Sequence, residues 1–314
     1  MTHVLAVDIG GTNTKIALVN NKGIIGQVTS IPTVGETGVE IFFSKLTDSV
    51  KEILLNEKVT IEGIGIGVAG FVDTAHARMI YNPNIAWLEG FPLKDRFTDQ
   101  FNLPVNIEID SNAAALAEAV HGNGRDCQRL LVYSIGTGLG GGMVIDGQIL
   151  RIANECLGDV GHVMVDPGGM KCEAGCRGCA EAMVSAPALE RYAAEFSNGK
   201  SEMKTPDIIK AATRGEVFAL AAINKLAKYF GIALASIVPV LAPQKICVAG
   251  GVSEAGDTLL DATRASFMSY AGPPYAEGVI IQKAFLGWQS VLVGAAVAFR
   301  REPHELRGSM YGNG

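Results

Sequence analysis

The chain has 314 residues, of which 48% are hydrophobic and 18% charged, with 26 Lys and Arg against 32 Asp and Glu. This composition excludes an intrinsically disordered chain, and the lack of a long basic block argues against nucleic acid or anionic lipid as a partner. The length exceeds what one ordinary core requires, so it predicts two lobes of about 100 to 200 residues with a cleft between them.

Neither an export signal nor a membrane span is expected. The amino terminus has no basic segment and no small-residue cleavage site. The most apolar window, residues 229–242, is shorter than the roughly 20 residues that cross a bilayer, and it contains Pro239. We therefore expect a cytoplasmic protein in which this window is a buried helix.

The first hundred residues predict a β-meander followed by a helix and a strand. Strands are expected at residues 4–8, 15–20 and 24–29, because turn-forming residues separate these three apolar runs. Apolar residues then recur every three or four positions over residues 38–55, which predicts a helix, and residues 64–68 return as a buried strand.

The following residues place Asp110 between a strand at residues 105–109 and a helix that runs through residues 113–120. From residue 130 the opening pattern returns, because residues 133–138 resemble residues 7–12. This similarity predicts an internal duplication. Helices expected near residues 186–195, 216–238, 259–269 and 290–301, with a strand at 246–249, complete an α/β protein.

Three glycine-containing segments suit the binding of phosphate or nucleotide. The first, residues 8–15, has two glycines and two hydroxyl side chains, although a tight hairpin alone has the same signature. The second has five glycines within residues 136–142, which weakens a strand unless a ligand approaches its backbone. The third, Gly250 and Gly251, follows a strand and precedes a helix, where nucleotides bind in α/β sheets.

A histidine and three cysteines, His162, Cys172, Cys176 and Cys179, supply the four ligands of a closed tetrahedral zinc site. Such zinc would be structural, since this ligand count implies no open coordination position. The alternative is a set of three reduced thiols without metal.

Together these motifs resemble the sugar kinases of the ROK family over nearly the whole chain. The resemblance implies an actin-like (ribonuclease H-like) duplicated α/β fold whose two lobes close over ATP and a sugar. The small lobe would comprise residues 1–109, with a carboxyl-terminal helix of about 289–303 packing back on it. The large lobe, residues 110–288, would carry the second phosphate loop, the cysteine cluster and the adenosine motif.

The resemblance also implies a role for individual residues. Asp110 would be the base that takes the proton from the accepting hydroxyl. ATP and Mg²⁺ would contact Asp8, Gly10, Gly11, Thr12, Lys15, Gly136, Thr137, Gly138, Gly250 and Gly251. The sugar would contact Gly70, Asn84, Ile109, Asp110, Asp159, His162 and Glu181.

The chain departs from the family pattern at three places. Ile109 stands where the family usually has Asn, Asp159 stands where it usually has Glu, and the middle cysteine of the cluster is displaced by two positions. An isoleucine leaves a sugar hydroxyl without its amide partner, at a cost of about 1 to 3 kcal/mol. The acceptor is therefore either an ordinary hexose or a modified one, such as an N-acetylhexosamine, an amino sugar or a cyclitol.

The predicted activity is that of a glucokinase-like, ATP-dependent kinase acting on the primary (6-position) hydroxyl of a hexose. The alternative from another class is a non-catalytic sugar-binding or regulatory protein. A repressor is disfavoured because the first phosphate loop begins at Asp8, which leaves no room for a preceding DNA-binding domain. The resemblance further implies a homodimer or homotetramer, and it leaves open which sugar is used and whether polyphosphate replaces ATP.

Overall fold

The computed structural model describes residues 2–33, 38–57, 59–73, 78–81, 85–151, 160–199 and 202–301. The chain forms two compact units, Met1–Ala117 with Gln289–Gly314 and Glu118–Trp288. The boundary between the two units lies between Ala117 and Glu118, inside the helix that follows Ile109, whereas the predicted lobe boundary lies directly after Ile109. The assignment of functional lobes stays a prediction.

The first unit contains a five-stranded sheet, a small hairpin and four helices. Its strands are β1 (Thr2–Ile9), β2 (Asn13–Asn20), β3 (Thr29–Pro32), β4 (Thr60–Val68), β5 (Phe71–Asp73), β6 (Arg78–Tyr81) and β7 (Val105–Ile109). Three of its helices are α1 (Val39–Asn56), α2 (Leu93–Phe101) and α3 (Asp110–His121), of which α3 continues into the second unit. The sheet order is β3-β2-β1-β4-β7, in which β1, β4 and β7 are parallel, while β5 and β6 form the hairpin.

The second unit repeats this sheet with different helices. Its strands are β8 (Arg129–Ile135), β9 (Leu139–Ile145), β10 (Gln148–Ile149), β11 (Lys245–Ala249) and β12 (Ile280–Lys283). Its helices are α4 (Ala180–Met183), α5 (Ala186–Phe196), α6 (Thr205–Thr213), α7 (Val217–Leu241), α8 (Asp257–Tyr270) and α9 (Pro273–Ala276), and the chain ends its described part with α10 (Ser290–Arg301), which belongs to the first unit. The sheet order β10-β9-β8-β11-β12 matches that of the first unit strand for strand, as the predicted duplication requires.

Strand β4 shows how the sequence produces the layers of the first unit. Ile64, Ile66 and Val68 are fully buried in one apolar cluster, whereas the alternating glycines at 63, 65 and 67 face the other way. A Cβ atom on those glycines would meet residues of α10, so only glycine lets this helix approach the sheet so closely. Helix α10 therefore packs on β1, β4 and β7.

The third strand of the meander lies later than predicted. Residues 24–29 contain only an isolated bridge between Val19 and Ile25, and β3 begins at Thr29. The Asn20 side chain accepts the N–H groups of Lys22 and Ile24, which holds a turn and delays the strand. The short apolar run at Ile24 was therefore wrongly predicted as a full strand.

Helix α7 is long and apolar enough, by length and composition alone, to cross a membrane. Half of its most apolar window is nevertheless buried within the protein, and the helix packs against α5, α6 and α8. Its buried residues, among them Phe230 and Leu234, belong to the apolar cluster of the second unit. These contacts are those of a core helix, as the sequence predicted for residues 229–242.

Candidate active site

The first phosphate loop is the turn between the antiparallel strands β1 and β2. Asp8 and Lys15 are directly opposite in the register, and Lys15 Nζ lies 3.7 Å from Asp8 Oδ2. The Gly10 N–H donates to the Asn13 carbonyl oxygen (3.2 Å), and the Thr12 carbonyl accepts from the Thr33 N–H (2.9 Å). The loop is thus held by its own backbone, with predicted ligands Gly10, Gly11 and Thr12 at its tip.

Asp8 sits in a largely buried position at the carboxyl end of β1. Burial raises the pKa of Asp8 from 3.8 to about 6, although the nearby Lys15 ammonium opposes this rise. Burial disfavours the charged form of this carboxylate, because it removes water from around the charge. Such buried carboxylates are typical of functional positions, where a cation bound with the ligand stabilises the charged form.

The predicted base, Asp110, is the first residue of α3 and directly follows β7. Ile9 pairs with Val68 and Val68 pairs with Ile109, so the carboxyl ends of the three parallel strands lie at one edge of the sheet. Two strand spacings separate β1 from β7, which puts the Ile9 and Ile109 backbones roughly 10 Å apart, with Asp8 and Asp110 next to them in the chain. Asp110 Oδ1 accepts the Ser111 N–H (2.7 Å), and its side chain is half-buried.

Two buried polar residues beside Asp110 were not identified from the sequence. Glu108 and Asn112 are 2% and 1% exposed. Glu108 Oε1 accepts the Ile109 N–H (2.9 Å) and the Asn112 side-chain amide (3.1 Å), which links the end of β7 to the first turn of α3. The signal was a charged residue inside a fully buried strand, two positions before the predicted base.

Two of the predicted sugar contacts, Gly70 and Ile109, lie in the described part of the first unit. Ile109 is 9% exposed and belongs to the apolar cluster of the first unit, so its side chain continues the core face of β7. Gly70 has a left-handed φ of 101°, which favours glycine there. Asn84 and Asp159 lie outside the described residues.

The second phosphate loop, residues 136–138, joins β8 to β9 in the second unit. The Gly136 N–H donates to the Gly138 carbonyl oxygen (2.9 Å), and the Gly136 carbonyl accepts the Ala186 N–H at the start of α5 (2.7 Å). Gly250 has a φ of 87°, and a Cβ atom on it would overlap the backbone of Ile135. Close packing therefore brings the predicted adenosine motif, with Gly251 next to it, against the base of this loop.

The predicted metal cluster is partly assembled. The ligand atoms of His162, Cys172 and Cys179 all lie within 4.8 Å of one another, and His162 Nδ1 is 3.8 Å from Cys172 Sγ. Tetrahedral zinc with bonds of 2.0 to 2.3 Å holds its ligands roughly 3.5 to 3.8 Å apart, so these three residues fit zinc. Burial raises the pKa of the Cys179 thiol to about 11, which neighbouring thiols reinforce.

Cys176, the predicted fourth ligand, is exposed and does not belong to this set of three. It faces Cys172 across a tight turn in which the Cys172 N–H donates to the Cys176 carbonyl oxygen (2.8 Å). The Cys176 thiol is close enough to the Cys172 thiol to interact with it, but it is not within 4.8 Å of all three of the other ligand atoms. A four-ligand site that includes Cys176 stays a prediction.

A cavity of about 240 Å³ lies elsewhere in the first unit and contains none of the predicted site residues. It is lined by the amino-terminal end of β1 at His3, by residues 24–29 and by the last turns of α1. Asp8 and Asp110 lie at the opposite, carboxyl edge of the sheet, so this cavity is separate from the site proposed from the motifs.

Residues 4–302 match the ROK family. The chain belongs to the ROK family. A glucokinase of Halalkalibacterium halodurans is 33% identical to this ROK protein over 96% of each chain. The structure of a ROK family glucokinase from Streptomyces griseus, in complex with glucose and AMPPNP, has a TM-score of 0.85 and 32% identity, covering 96% of this chain and 100% of that one. The ROK hexokinase of Thermus thermophilus has a TM-score of 0.79 and 30% identity, covering 94% and 97%.

These comparisons confirm two expectations for the ROK chain. The resemblance inferred from the ordered motifs is that of its family. The fold is the actin-like α/β fold of ROK kinases, in which two sheets share one strand order. The roles of single residues remain predictions.

Proposed function

We propose that this chain transfers the γ-phosphoryl group of ATP to the primary (6-position) hydroxyl of a hexose. Its similarity to glucokinases over nearly the whole length confirms that it is an ATP-dependent sugar kinase. A purely regulatory or sugar-binding role is not favoured, since these relatives are enzymes that it matches from end to end.

The observation that carries the proposal is the placement of Asp110. It follows β7 at the edge of the sheet where Asp8 ends β1, and the first helical turn holds its carboxylate. A carboxylate there accepts the proton of the sugar hydroxyl while that oxygen bonds to the γ-phosphorus and the bond to ADP breaks. Bound Mg²⁺ would neutralise charge on the phosphates, and Asp8 would hold it or its waters.

The identity of the acceptor sugar is a finer proposal. An isoleucine in the core of the first unit offers no hydrogen bond, so we propose that neighbouring backbone or side-chain groups replace the amide that the family usually has at position 109. Ordinary glucose is the first candidate substrate, by similarity to the glucokinases. N-acetylhexosamines, amino sugars and cyclitols are the comparison set.

The test is an ADP-release assay across this panel with the wild type and Asp110→Asn. Loss of the base should lower kcat about 10²- to 10⁴-fold while the affinity for nucleotide changes little. Asp95→Asn, at an exposed carboxylate in α2, is the matched control and should keep wild-type turnover. Wild-type turnover by Asp110→Asn would remove Asp110 from the mechanism, and no turnover of any sugar by the wild type would refute the kinase proposal.

Several finer features are proposed with the activity. Zinc would be held by His162, Cys172 and Cys179, with Cys176 as a fourth ligand after a small movement of its turn. We propose that the protein works in the cytoplasm, where ATP is available, as a homodimer or homotetramer. We further propose that it has no nucleic-acid partner, which its acidic balance supports.

A further inference from the structure

Glu181, which the family resemblance assigns to the sugar, also contacts the second phosphate loop. The Leu139 N–H, at the point where the loop enters β9, donates to Glu181 Oε2 (3.2 Å). A Cβ atom on Gly138 would lie 2.5 Å from the same oxygen, so the carboxylate rests directly against the backbone of the loop. Glu181 is therefore a neighbour of the loop as well as a candidate sugar ligand.

Glu181 lies two residues after Cys179, a candidate metal ligand. Cys179 is the residue that precedes α4, and Glu181 is the second residue of this short helix. Cys179 is fully buried, and the Ala180 N–H donates to the Val163 carbonyl oxygen (2.8 Å). The carboxylate is thus presented to the loop by a segment with little freedom to move.

Among the described residues, the loop is also tied to the protein at its other end. The carbonyl of its first residue, Gly136, accepts the Ala186 N–H at the start of α5. Its last residue, Gly138, directly precedes Leu139, whose N–H donates to Glu181. A glycine-rich segment has more conformational freedom to lose than any other, so an anchor at each end reduces the entropy lost when phosphate binds. A hydrogen bond to a carboxylate is the stronger type of anchor.

We infer that Glu181 is a positioning residue for the second phosphate loop and that it sets the affinity for nucleotide even when no sugar is bound. This inference rests on the proposed function, since it assumes that residues 136–138 bind phosphate. The described contacts of the carboxylate involve Oε2, and in this inference the other oxygen accepts a sugar hydroxyl. One side chain then links the occupancy of the sugar site to the order of the phosphate loop.

Two opposing effects decide how variants should behave. The carboxylate orders the loop, but its negative charge also repels a triphosphate. Glu181→Ala removes both effects, whereas Glu181→Gln removes the charge and keeps an acceptor oxygen for the Leu139 N–H. If ordering dominates, Ala weakens the binding of nucleotide and Gln does not.

The experiment is calorimetric titration of the full chain with Mg²⁺ and AMPPNP in the absence of any sugar. We expect Glu181→Ala to bind about 10-fold more weakly than the wild type, as for the loss of one hydrogen bond to a charged group, and Glu181→Gln to stay within about 3-fold. Glu195→Ala is the matched control, because Glu195 accepts from Lys225 Nζ (2.8 Å) at the opposite end of α5 from Ala186, and the affinity of this variant should equal that of the wild type.

Hydrogen exchange gives a second readout that needs no ligand. The Leu139 amide should exchange faster in Glu181→Ala than in the wild type or Glu181→Gln. Wild-type affinity and exchange in Glu181→Ala would overturn the inference. Equal weakening by Ala and Gln would also overturn it, because the acceptor oxygen would then be irrelevant.

Gly138→Ala tests the same contact without removing the carboxylate. The added methyl group would displace Glu181 Oε2, so affinity should fall in the wild-type background and fall no further in Glu181→Ala. Full additivity of the two changes would contradict the contact, and if Glu181→Ala does not fold, Gly138→Ala alone decides the matter, since unchanged affinity in that variant would contradict the contact. A wild-type chain that binds no nucleotide refutes the proposed function and this inference together, whereas unchanged affinity in Glu181→Ala refutes only the inference.

Discussion

Replacing Asp8 by Asn should raise the free energy of unfolding above pH 6 and leave it unchanged below about pH 4. Burial raises the pKa of Asp8 from 3.8 to about 6 in the folded chain. Between these values the folded chain keeps a proton that the unfolded chain has lost, so the stability of the wild type falls as pH rises through this window. Asn carries no titrating proton and escapes this loss.

The size of the effect follows from the shift. About two pKa units at 1.36 kcal/mol each give about 3 kcal/mol above pH 6. The Asp8 side chain is only 14% exposed, so solvent screens this cost little. The attraction of Lys15 opposes the shift and is already included in it. In a domain of this size, such a difference corresponds to a rise in Tm of several degrees.

The assay is urea denaturation of both variants at intervals from pH 4 to pH 8, without nucleotide or divalent metal. Asp48→Asn is the control, because Asp48 is 69% exposed and pairs only with Lys51 on the surface of α1, so its stability should follow the wild type at every pH. A difference between Asp8→Asn and the wild type that stays constant over the whole range would refute the reasoning. Asp8 would then titrate in the folded chain as it does in the unfolded one.

Two further predictions concern packing and metal. Gly294→Ala would drive a methyl group into the Ala113 carbonyl of α3, so it should lower the free energy of unfolding by about 1 to 3 kcal/mol or more. Gly26→Ala is the control, because the nearest atom to its added methyl group is 3.6 Å away, and it should change the free energy of unfolding by only about a few tenths of a kcal/mol. Denaturant titration would distinguish the two variants, and equal effects would contradict the close packing of α10. Removing metal with a chelator should lower the Tm of the wild type but not that of Cys172→Ser, which lacks one of the proposed ligands. Cys127→Ser is the control, because Cys127 is outside the cluster, and its Tm should fall like that of the wild type. A chelator effect that persists in Cys172→Ser would place the metal elsewhere.

Much of the local structure was predictable because short-range chemistry determines it. The alternation of Gly and Ile or Val in residues 63–68 specifies one face for the core and one for a helix, and β4 follows that pattern. The predicted helix over residues 38–55 appears as α1, with Phe42, Phe43, Leu46 and Val50 buried in the apolar cluster of the first unit. The strand at Ile24 failed because the Asn20 turn competes locally with strand pairing.

The residues around the predicted base show what local patterns miss. Asp110 was identified from its place between a strand and a helix, but Glu108 and Asn112 were not, since their hydrogen bond exists only when the strand and the helix turn meet. Ile109 was interpreted as part of the sugar pocket, yet the pleat of β7 directs it into the core.

By itself the sequence determined the two repeated strand patterns, the glycine loops and the family, since each depends on residue types at fixed spacing. Only the tertiary structure decided which sulfur atoms meet His162, that Cys176 stays outside that set, and that Glu181 rests against Gly138. The physical reason is that these contacts join segments separated by ten to forty residues. Their distances depend on how β9, α4 and the cysteine turn pack, and spacing along the chain does not specify that packing.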